Sequence, residues 1–243
     1  MARGLPDYAN PEYSVVSTLI DNADLVAFTT GFARLDGGGR MISFNDFRAG
    51  WHQYDDQSFS GGASPAMDFS EMHMHGFSGS VRLDPILAGG VSTILRTSYI
   101  PFSGKIGVEV GFFPSANAGR YTVRLAFAAD TGGNYQAGFY LEESTGDVYI
   151  EKAVGVQKVY DASIAQEWQN THIAIKMVFD PFTHKYDNII IGGVRQDISA
   201  YSVKTFGAQP LGRVTETHQV LGVAASYFEP VYLEYVILTA DEP

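Results

Sequence analysis

A chain of 243 residues with 45% hydrophobic content is long enough to bury a substantial core, and length alone does not separate one domain from two, since all-β sandwiches often run to this size. Its 27 acidic against 16 basic residues give a net charge of -11, which repels a phosphate backbone and an anionic bilayer, so nucleic acid and membrane are poor partners. The absence of cysteine excludes disulfides, thiolate metal sites and cysteine nucleophiles.

Twenty-six Gly, sixteen Phe and fourteen Tyr, with only 18% charged residues, fit many strands joined by tight turns. The first ten residues lack the apolar core of a secretory signal, and no stretch is long enough to span a bilayer, so a soluble cytoplasmic protein is expected.

In chain order, Asn10, Pro11 and Glu12 resemble a helix start, and Val15, Val16, Leu19 and Ile20 continue at helical spacing. Leu25 to Phe32 reads as an apolar strand, followed by a turn at Gly37-Gly38-Gly39 that lacks the lysine and spacing of a phosphate loop. Residues 1–40 are therefore expected to form an N-terminal extension packed on a sandwich of residues 41–243. Met41 to Phe47, Trp51 to Tyr54 and Glu71 to His75 read as short strands. Ser58 to Ser64 is the loosest of the loops between them. Val81 to Leu83 and Val91 to Tyr99 lead into the clearest stretch of the chain.

From Lys105 to Glu142 three segments alternate apolar and polar residues. Ile106, Val108, Val110 and Phe112 share one face, as do Tyr121, Val123, Leu125 and Phe127, then Tyr135, Ala137, Phe139 and Leu141. Gly- and Asn-rich loops separate them, which predicts one antiparallel sheet. Asp147 to Glu151 and Val156 to Tyr160 make a further pair. Ile173, Ile175, Met177 and Phe179 alternate again, with a turn at Asp180-Pro181-Phe182-Thr183, a return over Tyr186 to Ile191 and a short edge piece at Arg195 to Ile198. A polar connection around Gln209 to Arg213 precedes a last pair, His218 to Tyr227 and Val231 to Thr239.

This order of elements resembles a known superfamily. Phe44-Asn45-Asp46-Phe47 then Gly50-Trp51, the long central strands, the Trp168 to Phe179 strand with its hairpin, and the closing Val231-Tyr232-Leu233-Glu234-Tyr235-Val236 are similar to the concanavalin A-like lectin and glucanase jelly roll, in its laminin G-like bacterial branch. The resemblance spans roughly residues 40 to 240. It implies an all-β jelly-roll sandwich of two antiparallel sheets, with carbohydrate bound on the concave face of one sheet. Hydrolases of this fold carry two Glu flanking an Asp on one strand, whereas here Glu109 stands alone on its face.

The polar face of the central segments offers the leading ligand-binding set: Glu109, Arg124, Gln136, Tyr140, His172 and Lys176. A carboxylate, two cations, an amide and an aromatic ring suit hydroxyl recognition and stacking on a sugar. The plainer reading is cross-strand pairing on a solvated face, for instance Glu109 with Arg124. Glu71, His73 and His75 alternate, and two imidazoles with a carboxylate on one strand face suit a divalent metal such as zinc, although this pattern also describes a surface strand with Met72 and Met74 buried. Trp51, His52 and Tyr54 beside Asp55 and Asp56 would make an aromatic rim with an acidic loop that suits calcium, although the plainer reading of Trp51 is a core plug near the sandwich end. No other cofactor is indicated.

These features point first to a lectin-like, carbohydrate-recognising protein that takes a small-molecule or oligosaccharide ligand. A second class is a glycoside hydrolase or polysaccharide lyase-like enzyme, with Glu109 as acid or base, Arg124 neutralising a uronate, and Tyr140 or His172 as proton partner. A third is a structural subunit whose sandwich faces form a homo-oligomer.

Overall fold

A computed structural model describes residues 40–45, 47, 54–61, 64–68, 80–86, 88–99, 104–114, 119–128, 133–142, 145–161, 173–207, 213–222 and 230–242. The helix expected from Asn10, the strand from Leu25 to Phe32, and residues 1–39 as a whole lie outside that set, as do Trp51 and the segment Glu71 to His75. Among the described residues every regular element is a strand, and no helix is long and apolar enough to cross a membrane.

Sixteen strands form two antiparallel sheets. One, the β6 sheet, has the order β13-β12-β11-β6-β16-β4-β3. Its members are β3 (Ala66–Asp68), β4 (Ser80–Leu83), β6 (Lys105–Pro114), β11 (Ile173–Asp180), β12 (Lys185–Ile191), β13 (Val194–Asp197) and β16 (Val231–Glu242), and β1 (Arg40–Asn45) adds to the far half of β16. The other, the β8 sheet, has the order β10-β9-β8-β7-β15-β5-β2. It comprises β2 (Asp56–Ser60), β5 (Val91–Tyr99), β7 (Arg120–Ala128), β8 (Asn134–Glu142), β9 (Asp147–Glu151), β10 (Val156–Tyr160) and β15 (Arg213–Leu221), with β14 (Lys204–Thr205) on one end of β8.

The core lies between the sheets and is built from the apolar faces legible in the sequence. Val108, Val110 and Phe112 on β6, and Ile175, Met177 and Phe179 on β11, meet Val123, Leu125 and Phe127 on β7, and Phe139 and Leu141 on β8. Each such side chain contributes roughly 1.5–3 kcal/mol on burial. Phe127 and Phe179 stack across the layers with centroids 5.0 Å apart.

Three expectations change. The segments from Lys105 to Glu142 do not form one sheet: β6 belongs to one layer, and β7 and β8 to the other. Alternation tells which face of a strand is apolar but not which strand lies beside it, and the chain crosses the sandwich between β6 and β7. The loop expected at Ser58 to Ser64 contains the end of β2, an edge strand whose five residues are all exposed and so show no apolar alternation. Arg213, expected in a connection, begins β15, whose inward positions include Glu216 and His218 and thus interrupt the apolar pattern.

Tyr186 ties the layers together. Its ring rises from β12 through the core, and its hydroxyl accepts Gly138 N–H at 2.9 Å and donates to the Glu151 carbonyl 2.5 Å away, with the Gly138 carbonyl at 3.1 Å. The β8 edge is shared by β9, from Phe139 onward, and by β14, at Tyr135 and Gln136. The phenol fills the ladder positions between them, and burial raises its pKa far above the ordinary tyrosine value. Tyr186→Phe would leave a buried N–H and a carbonyl without their partner, so a loss of about 1–3 kcal/mol is expected in urea unfolding.

Candidate functional site

The outward face of the β8 sheet carries its polar residues in rows that the strand registers align. Leu95, Thr217, Arg124 and Gly138 form one row. On one side of it lie Thr93, Gln219, Thr122, Tyr140 and Tyr149, and on the other Thr97, Thr215, Ala126, Gln136 and Lys204. The rows through Arg124 and Gln136 floor a cleft of about 410 Å³, which Lys204 and Phe206 line from the β14 side. Its volume suits a small molecule or a few sugar units.

Arg124 is fixed in place. Its Nε and Nη2 donate to Glu151 Oε2 and Oε1 at 2.9 and 2.7 Å, and its Nη1 donates to Gln219 Oε1 at 3.1 Å. Gln136 Nε2 donates to Glu151 Oε2 at 2.6 Å. Burial alone raises the Glu151 pKa, but the Arg124 guanidinium and the Gln136 amide outweigh it and hold the carboxyl below its usual range. The result is an ionised carboxylate gripping a bidentate arginine, whose remaining N–H groups stay available at the cleft floor.

Beside the cleft, Tyr140 and Tyr149 stack at 4.9 Å, and the Arg120 guanidinium lies 4.4 Å from the centre of the Tyr140 ring. Tyr149 approaches from the β9 side and Arg120 from the β7 side, so both faces of Tyr140 are taken and the residue is buried. Arg120 also donates to Glu142 at 3.0 and 2.8 Å, and Lys158 pairs with Asp147 at 2.7 Å.

The six residues expected on one binding face are therefore divided. Arg124 and Gln136 meet at Glu151, with Tyr140 one row away but covered. Glu109 and Lys176 are cross-strand neighbours on the opposite sheet, facing away from the core, and are only 2% and 1% exposed. Glu109 Oε1 accepts from Tyr235 at 3.1 Å, and Lys176 pairs with Glu242 at 2.8 Å. A Glu109–Arg124 pair is impossible because their strands lie in different layers. His172, Glu71, His73 and His75 lie outside the described residues, among which no group of three or more His, Asp or Glu could hold a metal ion.

Glu151, Gln219, Lys204 and Phe206 escaped sequence reasoning. Glu151 was within reach, since it alternates with Val148 and Ile150 in a recognised strand. Lys204 and Phe206 were not, because β14 is two residues long and shows no periodicity.

A second polar cluster lies inside the sandwich. Glu216 accepts from Tyr54 at 2.9 Å, Arg96 at 2.7 Å and His218 Nε2 at 2.7 Å, while Tyr121 stands 2.9 Å from His218 Nδ1. Arg96 also donates to Ser43 at 3.0 Å, bridging to β1 of the other sheet. With the imidazole proton on Nε2, Tyr121 donates to Nδ1 and these contacts are mutually satisfied.

The two antiparallel layers form a jelly-roll β-sandwich with a concanavalin A-like fold, the fold that the sequence resemblance implied. The chain is similar in structure to a conserved carbohydrate esterase from Shiga toxin-encoding bacteriophage phi24B, with a TM-score of 0.55 and 13% identity over 84% of this chain and 100% of that one. It is also similar to a protein of unknown function with a galectin-like fold from Bacillus subtilis, with a TM-score of 0.53 and 11% identity over 83% of this chain and 96% of the other. At these identities the likeness is one of fold. No protein-family model and no curated protein matches the sequence.

Proposed function

We propose that the protein is a lectin-like, carbohydrate-recognising module whose ligand lies in the cleft over β7, β8 and β14. The observation that carries this reading is the pairing of Phe206, 46% exposed at the cleft, with the immobilised polar groups of Arg124 and Gln136 and the hydroxyls of Thr215 and Thr217. An aromatic face packs on the apolar side of a sugar ring while fixed donors and acceptors read its hydroxyls. The fold it shares with the phage carbohydrate esterase supports sugar as the ligand class by analogy.

Binding accounts for the cleft better than glycosidic hydrolysis does. Both common hydrolytic mechanisms place two carboxyls across the scissile bond, one of them able to give up a proton. Glu151 touches two of the residues lining the cleft, but Arg124 holds it ionised, which suits a structural anion rather than an acid.

Isothermal titration against a panel of oligosaccharides tests the proposal. Phe206→Ala is expected to weaken the best ligand about tenfold without shifting the melting temperature, because the ring is a surface contact rather than part of the core. Binding that survives the substitution unchanged would place the site elsewhere.

A further inference from the structure

We infer that the cleft selects sugars that carry a carboxylate, with Lys204 as the group that reads the charge. This rests on the carbohydrate reading above and adds the ligand's charge to it. Outward-facing charges on β7 to β10 and β14 fall into pairs with one exception. Arg120 is held by Glu142, Arg124 by Glu151, and Lys158 by Asp147. Lys204 makes no ion pair with any described residue, yet it stands next to Gln136 in register and lines the cleft. Its field is felt by Glu151, which it helps to keep ionised.

The neighbours of Lys204 give this charge a geometry. Phe206 lies two residues further along the chain and lines the same cleft, so the ammonium and the exposed ring stand side by side. A pyranose stacked on Phe206 brings a ring carboxylate within reach of the long lysine side chain, and the unused N–H groups of Arg124 lie on the floor beneath. At the other end, beyond Leu95 and Thr97, stand Asp55 and Asp56 on exposed backbone. The cleft is thus positive toward β14 and negative toward β2. An acidic sugar binds with its carboxylate toward Lys204, since the opposite orientation would set like charges together.

The local balance matters because the chain as a whole carries a net charge of -11. A protein this acidic repels anions at long range, so an anionic ligand requires an unneutralised cation at its site. Three paired cations cannot supply it, because each is already balanced by its carboxylate.

The test uses oligosaccharides matched in shape and different in charge, namely oligogalacturonate with its methyl ester, and sialyllactose with its methyl ester, each titrated against the full chain and against Lys204→Met. The acidic member of at least one pair is expected to bind about tenfold more tightly than its neutral partner. Lys204→Met should erase that difference by weakening the acidic member about tenfold more than its neutral partner. Lys204→Arg, which keeps the charge, should retain most of the preference. Equal affinity for acidic and neutral members would overturn the charge inference and leave the carbohydrate reading standing. A preference that survives Lys204→Met would move the charge reader elsewhere. No binding to any member would overturn both.

Discussion

Glu216→Gln is expected to lower the melting temperature by roughly 10 °C. Three donors converge on the Glu216 carboxylate: the Tyr54 hydroxyl, the Arg96 guanidinium and His218 Nε2. An amide in its place turns its NH₂ toward at least one of them and strips Arg96 of its counter-ion in a site where both side chains are almost fully buried. Removing one partner of such a pair costs about 3–5 kcal/mol, and a chain of this length loses about 2–4 °C per kcal/mol. The companion experiment replaces the pair together, as Arg96→Met with Glu216→Leu. It should recover the part of the loss that comes from the stranded Arg96 charge and no more, because the Tyr54 hydroxyl and His218 Nε2–H are then left without their acceptor. If Glu216→Gln melts within a degree or two of the wild type, the cluster does not anchor the interior.

Acid sharpens the same expectation. Burial alone would raise the Glu216 pKa, but the Arg96 charge and the His218 hydrogen bond bring it from the ordinary 4.5 down to about 2. A carboxyl depressed in the folded state stabilises it above the unfolded pKa, and that contribution fades as pH falls from 4.5 through about 2. The span corresponds to roughly 3 kcal/mol. Urea unfolding of the wild type should lose that amount across the interval, and Glu216→Gln should lose correspondingly less.

The same cluster shows where the sequence was legible and where it was silent. Period-two alternation marked the inner faces of β6, β7, β8 and β11 correctly, because those positions are apolar without exception. It failed on β15, where Glu216 and His218 occupy inward positions and mimic a polar connection. Their partners come from β5, β7 and Tyr54, two residues ahead of β2, which only the fold brings together. Alternation was equally blind to layer: Glu109 and Arg124 each lie on the outward side of a strand, but of different sheets. Arg124 and Gln136 could be picked out because they sit opposite apolar neighbours in long strands. Nothing in the sequence reported that Tyr140 is sandwiched, since its coverage depends on Arg120 and Tyr149 from two other strands. Lys204 and Phe206 reach the cleft through a strand too short to carry a pattern.

Gly138→Ala is expected to cost about 2 kcal/mol and to disable the cleft at the same time. Arg124 on β7 and Glu151 on β9 are separated by β8, and their bidentate bridge passes directly over Gly138. A Cβ there would lie 2.9 Å from the Val123 carbonyl oxygen, 3.0 Å from Glu151 Oε2 and 3.1 Å from Arg124 Cγ. The side chains can turn aside, but the Val123 backbone belongs to the β7 ladder and cannot move without loosening it, so overpacking of about 1–3 kcal/mol follows. Gly207→Ala is the control. No atom lies within 4 Å of its added methyl, and the lost backbone freedom of the unfolded chain makes that change neutral or slightly favourable. Two readouts separate a local effect from simple destabilisation. With Arg124 displaced, burial is no longer outweighed, so the Glu151 pKa should climb, which carboxyl carbon NMR can follow. Gln136 then loses its fixed acceptor, and affinity for the best oligosaccharide should fall even at temperatures where the variant is fully folded. A variant that keeps a low Glu151 pKa and wild-type binding would show that the bridge does not depend on the bare backbone beneath it.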